Sequence, residues 1–311
     1  MLDVRRLRLL RDLAHLGTIA AVARAHAYTP SAVSQQLAAL QREAGVPLLE
    51  HTGRRVGLTS AGAALVAHAE AVLAALEAAD ASLAAARAGL SGTVRIGAFP
   101  SAVRTLLPPA LVALGREHPA LDLMVTELDP VAMPAALRDQ RLDVALTHDY
   151  DVVPGQPEDA VDSVPLLEET VFLAVPADGG GGEDEGGGEG DPIRGARDAA
   201  WIVGSPGTLC HTVAVRACRA AGFTPRVRHH ADDFTAVLAL VAAGQGVAIV
   251  PRLGAAQPPS GVRLLPLPAR RRTRIAYRRG SGTHPAVAAC VAALRASTEA
   301  YLRGRPGARP H

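Results

Sequence analysis

Apolar residues recur every three or four positions along the first 45 residues, which is the spacing of amphipathic helices. The apolar stripe of the first helix consists of Leu7, Leu10 and Leu13. A second helix begins after Thr18 and a third begins at Thr29-Pro30, because threonine caps helices and proline suits their first position. Gly45 ends the third helix. The pattern predicts three short helices that share one core.

Two short extended runs, at 48–51 and 56–58, flank a Gly-Arg-Arg tip and predict a β-hairpin wing. A long alanine-rich helix is predicted after it, at about 60–89, with apolar residues seven positions apart. These residues are Leu65, Val72 and Ala79 in one row and Leu76, Leu83 and Leu90 in another. A seam of this spacing predicts a linker helix that pairs with its copy in a second chain.

Beyond Gly92 the pattern alternates between strand and helix. Strands are predicted at 93–98, 121–128, 142–147, 164–175, 200–203, 226–231, 247–250, 262–267 and 274–278. Helices are predicted at 101–117, 131–138, 208–221, 233–244 and 284–301. This alternation implies a parallel sheet with crossover helices.

The chain is therefore predicted to be an α+β multidomain protein of three parts. These are a winged helix-turn-helix domain at 1–62, a linker helix at 63–91 and an α/β domain at 92–305. The third part divides into lobe I, about 92–165 and 269–305, and lobe II, about 166–268. Two chain crossings between the lobes, near 163–168 and 266–272, predict a hinge with a ligand cleft.

Charge changes this picture in two places. Net charge over the 311 residues is only +2, yet residues 1–62 hold eight arginines against four acids. A small basic domain of this kind suggests a polyanion as its partner. Residues 178–191 hold six acids and no basic residue. The glycine-rich part of this segment, 179–190, is predicted to be a flexible acidic loop, and its carboxylates lack the fixed spacing of a calcium loop.

Cysteine usage and the amino terminus predict the compartment. The three cysteines include no Cys-x-x-Cys pair, which indicates a reducing environment without a disulfide framework. The first residues lack the apolar segment of a signal peptide, and no stretch of about eighteen residues is free of charges and turn formers. We therefore expect a cytoplasmic protein that does not contact a membrane. The absence of lysine and asparagine is typical of a GC-rich genome.

The third helix carries the most specific chemistry. With Val33 and Leu37 facing inward, its opposite face presents Pro30, Ser31, Ser34 and Gln35. Short and amide-bearing side chains near a helix amino terminus suit the major groove, where glutamine pairs with adenine. Arg54 and Arg55 at the wing tip fit phosphate or minor-groove contacts. The alternative is an ordinary helical hairpin with a polar outer face.

Four runs with fixed spacing make this domain recognisable. They are GTIAAVARA at 17–25, TPSAVSQQL at 29–37, EAGVPLL at 43–49 and GRRVGLTSAG at 53–62. Together they resemble the DNA-binding domain of the LysR-type transcriptional regulators over its whole length, although Leu49 stands where an aromatic residue is usual. The order of the remaining parts also fits that family: a linker helix, then a two-lobed effector-binding domain shaped like a periplasmic binding protein.

The resemblance implies two sets of binding residues. DNA contacts are expected from Thr29, Pro30, Ser31, Ser34, Gln35, Arg54 and Arg55. A small-molecule effector is expected between the lobes, near strand ends and helix starts. The corresponding positions are Phe99, Ser101, Glu127, His148, Ser205 and Asp232.

The residues at these positions suggest the chemistry of the effector. Ser101 and Ser205 precede predicted helices, so their hydroxyls and the neighbouring amides suit a carboxylate. Four acidic residues are expected at the rim of the cleft between the lobes, where they favour binding of a ligand amine. They are Glu127, Asp149, Asp232 and Asp233. An amino acid or other zwitterion satisfies both. The alternative is that Ser205 and Asp232 only cap helices.

Other candidate sites are weaker. Cys210 and His211 are adjacent on a helix, so their side chains diverge and cannot form a nucleophile–base pair. His229 and His230 point to opposite faces of a strand, and no third metal ligand is evident. The three arginines at 270–272 are interpreted as a solvated turn, with a second DNA contact as the alternative. We expect no metal, no cofactor and no enzymatic activity.

The leading hypothesis is a ligand-responsive regulator that binds double-stranded DNA as a homo-oligomer. A small molecule in the cleft changes lobe closure, and thereby the spacing of paired DNA-binding domains on an inverted-repeat operator. The linker helix predicts a homodimer, and the resemblance implies a homotetramer as well. The competing hypothesis is a solute-binding or enzymatic α/β protein whose amino-terminal helices contact other proteins.

Overall fold

The computed structural model describes residues 1–52, 55–86, 89–155, 158–177, 191–303 and 309–310. The chain forms two compact units, Met1–Arg87 with Arg278–His284 and Ala88–Tyr277 with Pro285–His311. The predicted acidic loop at 179–190 and the wing-tip residues at 53–54 lie outside the described residues.

The first unit contains three short helices, a hairpin and one long helix. They are α1 (Val4–Leu16), α2 (Ile19–Ala25), α3 (Pro30–Ala44), β1 (Leu49–Thr52), β2 (Arg55–Leu58) and α4 (Ser60–Ala85). Four caps start the helices by accepting hydrogen bonds from first-turn N–H groups: Asp3, Thr18, Thr29 and Thr59. Gly45, with φ of 69°, ends α3 in the left-handed conformation that glycine adopts without strain. The predicted winged helix-turn-helix is confirmed.

A shared apolar core holds these helices together. Leu10 of α1 and Leu40 of α3 are both 0% exposed, and Leu37 is 1% exposed. They pack with Val22 of α2 and Ala69 of α4 in one cluster. Removing a leucine side chain of this kind from water stabilises the fold by about 1.5 to 3 kcal/mol.

A buried cluster of charged side chains links α1 to α2 and α4. Arg11 pairs with Asp12 at 2.7 Å and lies 4.0 Å from Glu70. His15 Nε2 lies 3.1 Å from Glu70, and His26 Nε2 lies 2.6 Å from Asp12. Buried charges are stable in a fold when they are paired, and here the paired charges join α4 to α1 through Glu70.

The long helix α4 exposes the predicted apolar seam. Val72, Leu76 and Leu83 are 40%, 44% and 63% exposed. By length and composition alone, α4 is also long and apolar enough to cross a membrane, with a mean hydropathy of 1.4. The Glu70 side chain of α4 pairs with Arg11 and His15 in the charged cluster. An apolar seam on a helix anchored in this way favours pairing with another helix.

The second unit alternates strands and helices along the chain. Its first half consists of β3 (Gly92–Ala98), α5 (Pro100–Thr105), α6 (Leu107–Glu117), β4 (Leu121–Glu127), α7 (Met133–Arg138), β5 (Val144–Tyr150) and β6 (Val161–Pro176). Its second half consists of α8 (Pro192–Gly195), β7 (Ala200–Val203), α9 (Leu209–Ala220), β8 (Arg226–His230), α10 (Phe234–Ala242), β9 (Ala248–Pro251), β10 (Val262–Arg278), α11 (Pro285–Arg303) and β11 (Arg309–Pro310).

The main sheet is mixed rather than parallel. Its strand order is β11-β6-β10-β5-β3-β4, and β9 also pairs with β6. β3 runs parallel to β4 and β5, as predicted, but β10 runs antiparallel to β5, and β6 runs antiparallel to β9. The prediction of a parallel sheet is therefore wrong for the long strands, because β6 and β10 return through the sheet without a crossover helix. A separate parallel pair is formed by β7 and β8.

Two element boundaries also differ from the prediction. β10 is one strand of 17 residues, whereas two strands separated by an arginine turn are predicted from the sequence. Arg271 and Arg272 continue it because they pair with Tyr150 and Asp149 of β5. The predicted helix at 101–117 is two helices, α5 and α6, because prolines at the start of α6 lack the N–H groups that would continue α5.

The core between β7, α9 and β6 surrounds Trp201. This side chain is 0% exposed, and its Nε1 donates a hydrogen bond to the Ala196 carbonyl at 3.2 Å. It packs in one cluster with Val213 and Cys218 of α9 and with Val171 of β6. The indole N–H thus has the partner that a buried tryptophan needs.

Candidate DNA interface and ligand cavity

One exposed face of α3 presents the residues predicted to contact DNA. Those at its start are all exposed: Thr29, Pro30, Ser31, Ser34 and Gln35. Val33 and Leu37, on the inward side of the same helix, are buried. The side chain of Thr29 accepts a hydrogen bond from the Ala32 N–H at 3.1 Å, so this residue caps α3.

The polar groups of this face differ in the hydrogen-bond donors and acceptors that are available to a DNA base. The Ser34 hydroxyl donates to the Pro30 carbonyl at 2.9 Å, which leaves its lone pairs as acceptors. The side chain of Gln35 forms no hydrogen bond with any other residue that the structure describes. Its amide oxygen and nitrogen are therefore both available to a base edge. Arg54 lies outside the described residues, and Arg55 begins β2.

A cavity of about 210 Å³ lies within the second unit. Five of the six predicted effector-binding residues line it: Phe99, Ser101, Glu127, His148 and Asp232. The sixth, Ser205, does not line the cavity. Its N–H and its hydroxyl both donate to the Asp232 carboxylate at 2.7 Å. The cavity is smaller than the roughly 300 to 1,000 Å³ of pockets for drug-sized ligands, so it suits a compact molecule.

Neither Ser205 nor Asp232 is a helix cap, contrary to the alternative from the sequence. Thr208 caps α9, and Asp233 caps α10 by accepting hydrogen bonds from Thr235 and Ala236. Asp232 instead holds the turn at Ser205. Ser101 is 1% exposed and lies inside α5, a helix of only six residues.

Arg271 is the main cavity residue that the sequence interpretation missed. It is 0% exposed, so the expectation of a solvated arginine turn is wrong. Its Nη2 and Nε donate to Glu169 Oε1 at 2.6 and 2.7 Å, and its Cζ lies 4.9 Å from the centre of the Phe99 ring. Burial alone lowers the pKa of Arg271, but the Glu169 carboxylate raises it above its ordinary value, so the guanidinium stays charged.

Strand alternation is the signal that identifies this pair. Arg271 shares its face of β10 with Thr273 and Ile275, which are both 0% exposed. Glu169 shares its face of β6 with Leu167 and Val171, which are 0% and 1% exposed. A glutamate and an arginine at inward positions of two neighbouring strands predict a buried ion pair.

His148 lies beside Arg271 in the cavity wall. Its ring packs edge-on against Phe99, with ring centres 4.4 Å apart, and against Tyr150 at 5.4 Å. Burial holds the pKa of His148 well below its ordinary value, and the nearby Arg271 charge lowers it further. The ring is therefore neutral at pH 7.

A pH-dependent stability follows from the low pKa of His148. In the unfolded chain this histidine takes up a proton below pH about 6.5, but in the folded protein it does not. Folding stability is therefore lost as pH falls below about 6.5, by up to about 1.4 kcal/mol per pH unit from this group. We expect His148→Phe to remove this loss. Chemical unfolding of both proteins between pH 5 and 7.5 checks it, and two curves that stay parallel would contradict it.

Three carboxylates, Glu127, Asp129 and Asp232, form the other polar part of the cavity wall. None of the three forms an ion pair with another described residue. Burial and the neighbouring Asp232 raise the pKa of Asp129, although hydrogen bonds from the Val131 and Leu209 N–H groups oppose the shift. The cavity therefore has an excess of negative charge at this rim.

The other two acids of the predicted rim lie elsewhere. Asp149 follows His148 on β5 and faces the opposite side, where it pairs with Arg272 at 3.1 Å. Asp233 pairs with Arg104 of α5. The carboxylate of Asp129 also accepts from the Leu209 N–H at the start of α9, at 3.4 Å. The Arg104–Asp233 and Asp129–Leu209 contacts join residues of the predicted lobe I to residues of lobe II.

Cys210 is the one thiol in the wall of this cavity. Burial raises its pKa to about 11, and Asp129 and Asp232 add to the shift while Arg271 opposes it. All three cysteines are free. Among the described residues, no group of three histidine, cysteine or acidic side chains is placed to hold a metal ion.

A winged helix-turn-helix followed by a long helix and an α/β domain with a ligand cavity defines a class of DNA-binding regulators. Residues 4–63 match the family described as bacterial regulatory helix-turn-helix protein, lysR family. Residues 87–299 match the LysR substrate binding domain. The chain belongs to the LysR family. It is a transcription regulator with an effector-binding domain and not an enzyme, which sets aside the competing hypothesis of a solute-binding or enzymatic protein.

Relatives and solved structures agree with this assignment. The chain is 31% identical over 258 residues to a probable hydrogen peroxide-inducible genes activator of Streptomyces viridosporus, covering 80% of each protein. It is 26% identical over 250 residues to the transcriptional dual regulator GltC of Bacillus subtilis, covering 80% of this chain and 81% of GltC. Full-length CbnR in complex with its target DNA superposes with a TM-score of 0.50 at 25% identity, covering 96% of this chain and 100% of that one.

Proposed function

We propose that the protein reads an inverted-repeat operator through the exposed start of α3 and the wing, and that a compact zwitterion such as an amino acid controls this binding. LysR regulators bind DNA and small-molecule effectors as oligomers; the particular contacts and the effector class are the proposal. The observation that supports the effector class is the set of three carboxylates, without basic partners among the described residues, in the wall of one small cavity.

Amine recognition follows from the charges of the rim. Glu127 and Asp232 are exposed at the cavity edge, and Asp129 lies half-buried beside them. A ligand ammonium group near several carboxylates gains Coulomb energy and relieves their mutual repulsion. The rest of the wall supplies hydrogen-bonding and aromatic groups from His148, Phe99 and Ser101, which suit the remainder of a compact ligand.

The DNA contacts are tested with Gln35→Ala. We expect operator affinity to fall about 10- to 100-fold, because a bidentate contact to a base contributes roughly 1 to 3 kcal/mol of discrimination. Gel retardation on duplexes from the region upstream of the gene measures it. The matched control is Gln36→Ala, because the Gln36 amide accepts from Arg6 Nε at 2.9 Å instead of facing the proposed DNA surface. Equal losses in the two variants would contradict the proposed face.

The wing contact has a different signature. A phosphate contact from Arg55 contributes to binding of any sequence, so Arg55→Gln is expected to lower the slope of log Kd against log salt by about one unit. Wild-type protein that retards no duplex, even at low salt, would overturn the operator proposal as a whole.

Hydrogen peroxide is a competing signal, because four relatives are named for it. The thiolate is the reactive form of a cysteine, and burial makes it scarce by raising the pKa of Cys210 to about 11 and that of Cys218 to about 12. Both residues lie on α9, separated by about 12 Å at a helix rise of about 1.5 Å per residue. A disulfide needs Cα atoms within roughly 7 Å. These features favour a bound ligand over thiol oxidation.

Pairing of two chains through α4 completes the proposal. The exposed row of Val72, Leu76 and Leu83 offers an apolar seam for a second copy. Two DNA-binding domains held in this way match the two halves of an inverted repeat. We place the protein in the cytoplasm, as a homodimer or homotetramer.

A further inference from the structure

We infer that Arg271 and His148 form the inner end of the ligand cavity and receive the carboxylate of the effector. The inference rests on the proposed function, because it concerns the orientation of a ligand in the same cavity. The amine then points outward, to the rim formed by Glu127, Asp129 and Asp232. Arg271 and His148 therefore determine specificity for the acidic group of the ligand.

Polar atoms without partners mark this end of the cavity. Both ring nitrogens of His148 are buried and form no hydrogen bond with any other described residue. Arg271 Nη1 is buried without a hydrogen bond of normal geometry, and the Tyr150 hydroxyl is the polar side chain near the guanidinium besides Glu169 and Ser101. Arg271 is 0% exposed and His148 is 8% exposed, and both line the cavity. Buried donors left without an acceptor destabilise a protein, so native structures pair nearly all of them. A bound group is the partner that these atoms lack.

The surroundings of Arg271 leave one edge of the guanidinium uncovered. Nε and Nη2 are bound by Glu169, and Nη2 also lies 3.5 Å from the Ser101 hydroxyl. The Phe99 ring covers one face of the guanidinium. Arginine presents five donors in a planar fork, and even with the Tyr150 hydroxyl nearby the two N–H groups of Nη1 can bond to a second planar acceptor. A carboxylate is the planar, charged acceptor for which this fork is suited.

His148 supplies a donor beside that edge. Because the ring is neutral, it donates from one nitrogen and accepts at the other. The N–H can bond to the second oxygen of the same carboxylate. The aromatic contacts with Phe99 and Tyr150 hold the ring in place for this bond.

An ammonium group does not fit the inner end. The two oxygens of Glu169 are occupied, Oε1 by Arg271 and Oε2 by the Leu253 N–H at 2.5 Å. An ammonium placed there lies beside the Arg271 charge, whereas at the rim it meets carboxylates. The two ends of the cavity therefore favour one orientation of a zwitterion.

The test compares three sets of compounds that share the same side chains. L-amino acids carry both charged groups, amino-acid amides carry only the amine, and the des-amino acids carry only the carboxylate. Thermal stabilisation of the full-length protein across a concentration series gives Kd for each, because a ligand selective for the folded state raises the melting temperature. We expect amides to bind about 10- to 100-fold more weakly than the parent amino acids, the loss typical of hydrogen bonds to a charged group.

The outcomes separate this inference from the proposed effector class. If amides bind as tightly as amino acids, Arg271 does not bind the ligand carboxylate and a water molecule is sufficient as its partner. This outcome overturns the inference about Arg271 but does not contradict amine binding at the rim. Des-amino acids that bind as tightly as amino acids overturn the rim and leave the role of Arg271 intact. Binding by none of the three sets overturns both.

Variants assign the preference to particular side chains. Arg271→Met combined with Glu169→Gln removes the guanidinium without leaving a buried charge, and is expected to erase the preference for acids over amides. His148→Phe keeps an aromatic ring but removes the N–H donor. It is expected to lower the ratio of the Kd for amides to the Kd for amino acids by about tenfold. The control is Arg272→Gln. The Arg272 side chain pairs with Asp149 and Asp151 on the other face of β10, so we expect this substitution to leave the Kd for amino acids and the Kd for their amides unchanged. A folded variant of either kind that retains the full preference overturns the inference.

Discussion

Replacing Arg271 by methionine alone is expected to destabilise the second unit by about 3 to 5 kcal/mol. Arg271 and Glu169 are 0% and 1% exposed, so the substitution leaves the Glu169 carboxylate buried without its counter-charge. Among the described residues, only the Leu253 N–H then still donates a hydrogen bond to the Glu169 carboxylate. A buried charge that loses its partner destabilises a fold far more than an exposed one.

Urea unfolding followed by circular dichroism measures this loss of stability. The combined Arg271→Met and Glu169→Gln variant is expected to recover most of it, because glutamine is uncharged and still accepts from Leu253. Arg272→Gln tests the neighbouring, solvent-accessible pair and is expected to change stability by about 1 kcal/mol or less. A single Arg271→Met variant no less stable than Arg272→Gln would show that the buried pair contributes nothing to the fold.

A second large effect is expected from Leu40→Ala in the DNA-binding domain. Leu40 of α3 is 0% exposed and packs in one cluster with the leucines of α1, so its truncation leaves a cavity in a small core. The expected loss is about 2 to 5 kcal/mol. Because a domain of this size is stable by only a few kcal/mol, we expect DNA binding at 37 °C to be lost.

The control for Leu40→Ala is Val46→Ala, since Val46 is 46% exposed and its truncation leaves no cavity. Gel retardation at 15 and 37 °C distinguishes an unstable domain from a lost contact: Leu40→Ala should retain DNA binding better in the cold, whereas Gln35→Ala is weak at both temperatures. Stable binding by Leu40→Ala at 37 °C would mean that the core tolerates the cavity.

Local signals explain why the DNA-binding domain was predicted well. A helix starts after a cap such as Thr29 and ends at a residue such as Gly45. Both signals lie within a few residues of the helix end that they determine, so they can be read from the local sequence. The inward stripe of α3 repeats at the helical period, so its exposed face follows directly from the sequence. The exposed face from Pro30 to Gln35 can therefore be predicted without knowing how distant parts of the chain pack.

The cavity depends on pairings between distant segments, and these were predicted less well. The ends of β3, β4 and β5 identify Phe99, Glu127 and His148, because parallel strands end at one edge of a sheet. Arg271 was missed because a run of three arginines suggests solvent, and only the pairing of β10 with β5 shows that the middle one points inward. Asp129 was missed because it belongs to a turn after β4, where no periodicity applies.

The burial of Trp201 has a practical consequence. It is the only tryptophan among 311 residues, and it lies in the core of the second unit. Intrinsic emission excited at the indole band therefore reports on this unit alone, while unfolding of the tryptophan-free DNA-binding domain does not change this emission. Comparing emission with circular dichroism on one sample distinguishes melting of the ligand-binding core from melting of the whole chain. The protein thus carries its own site-specific probe, without an added dye.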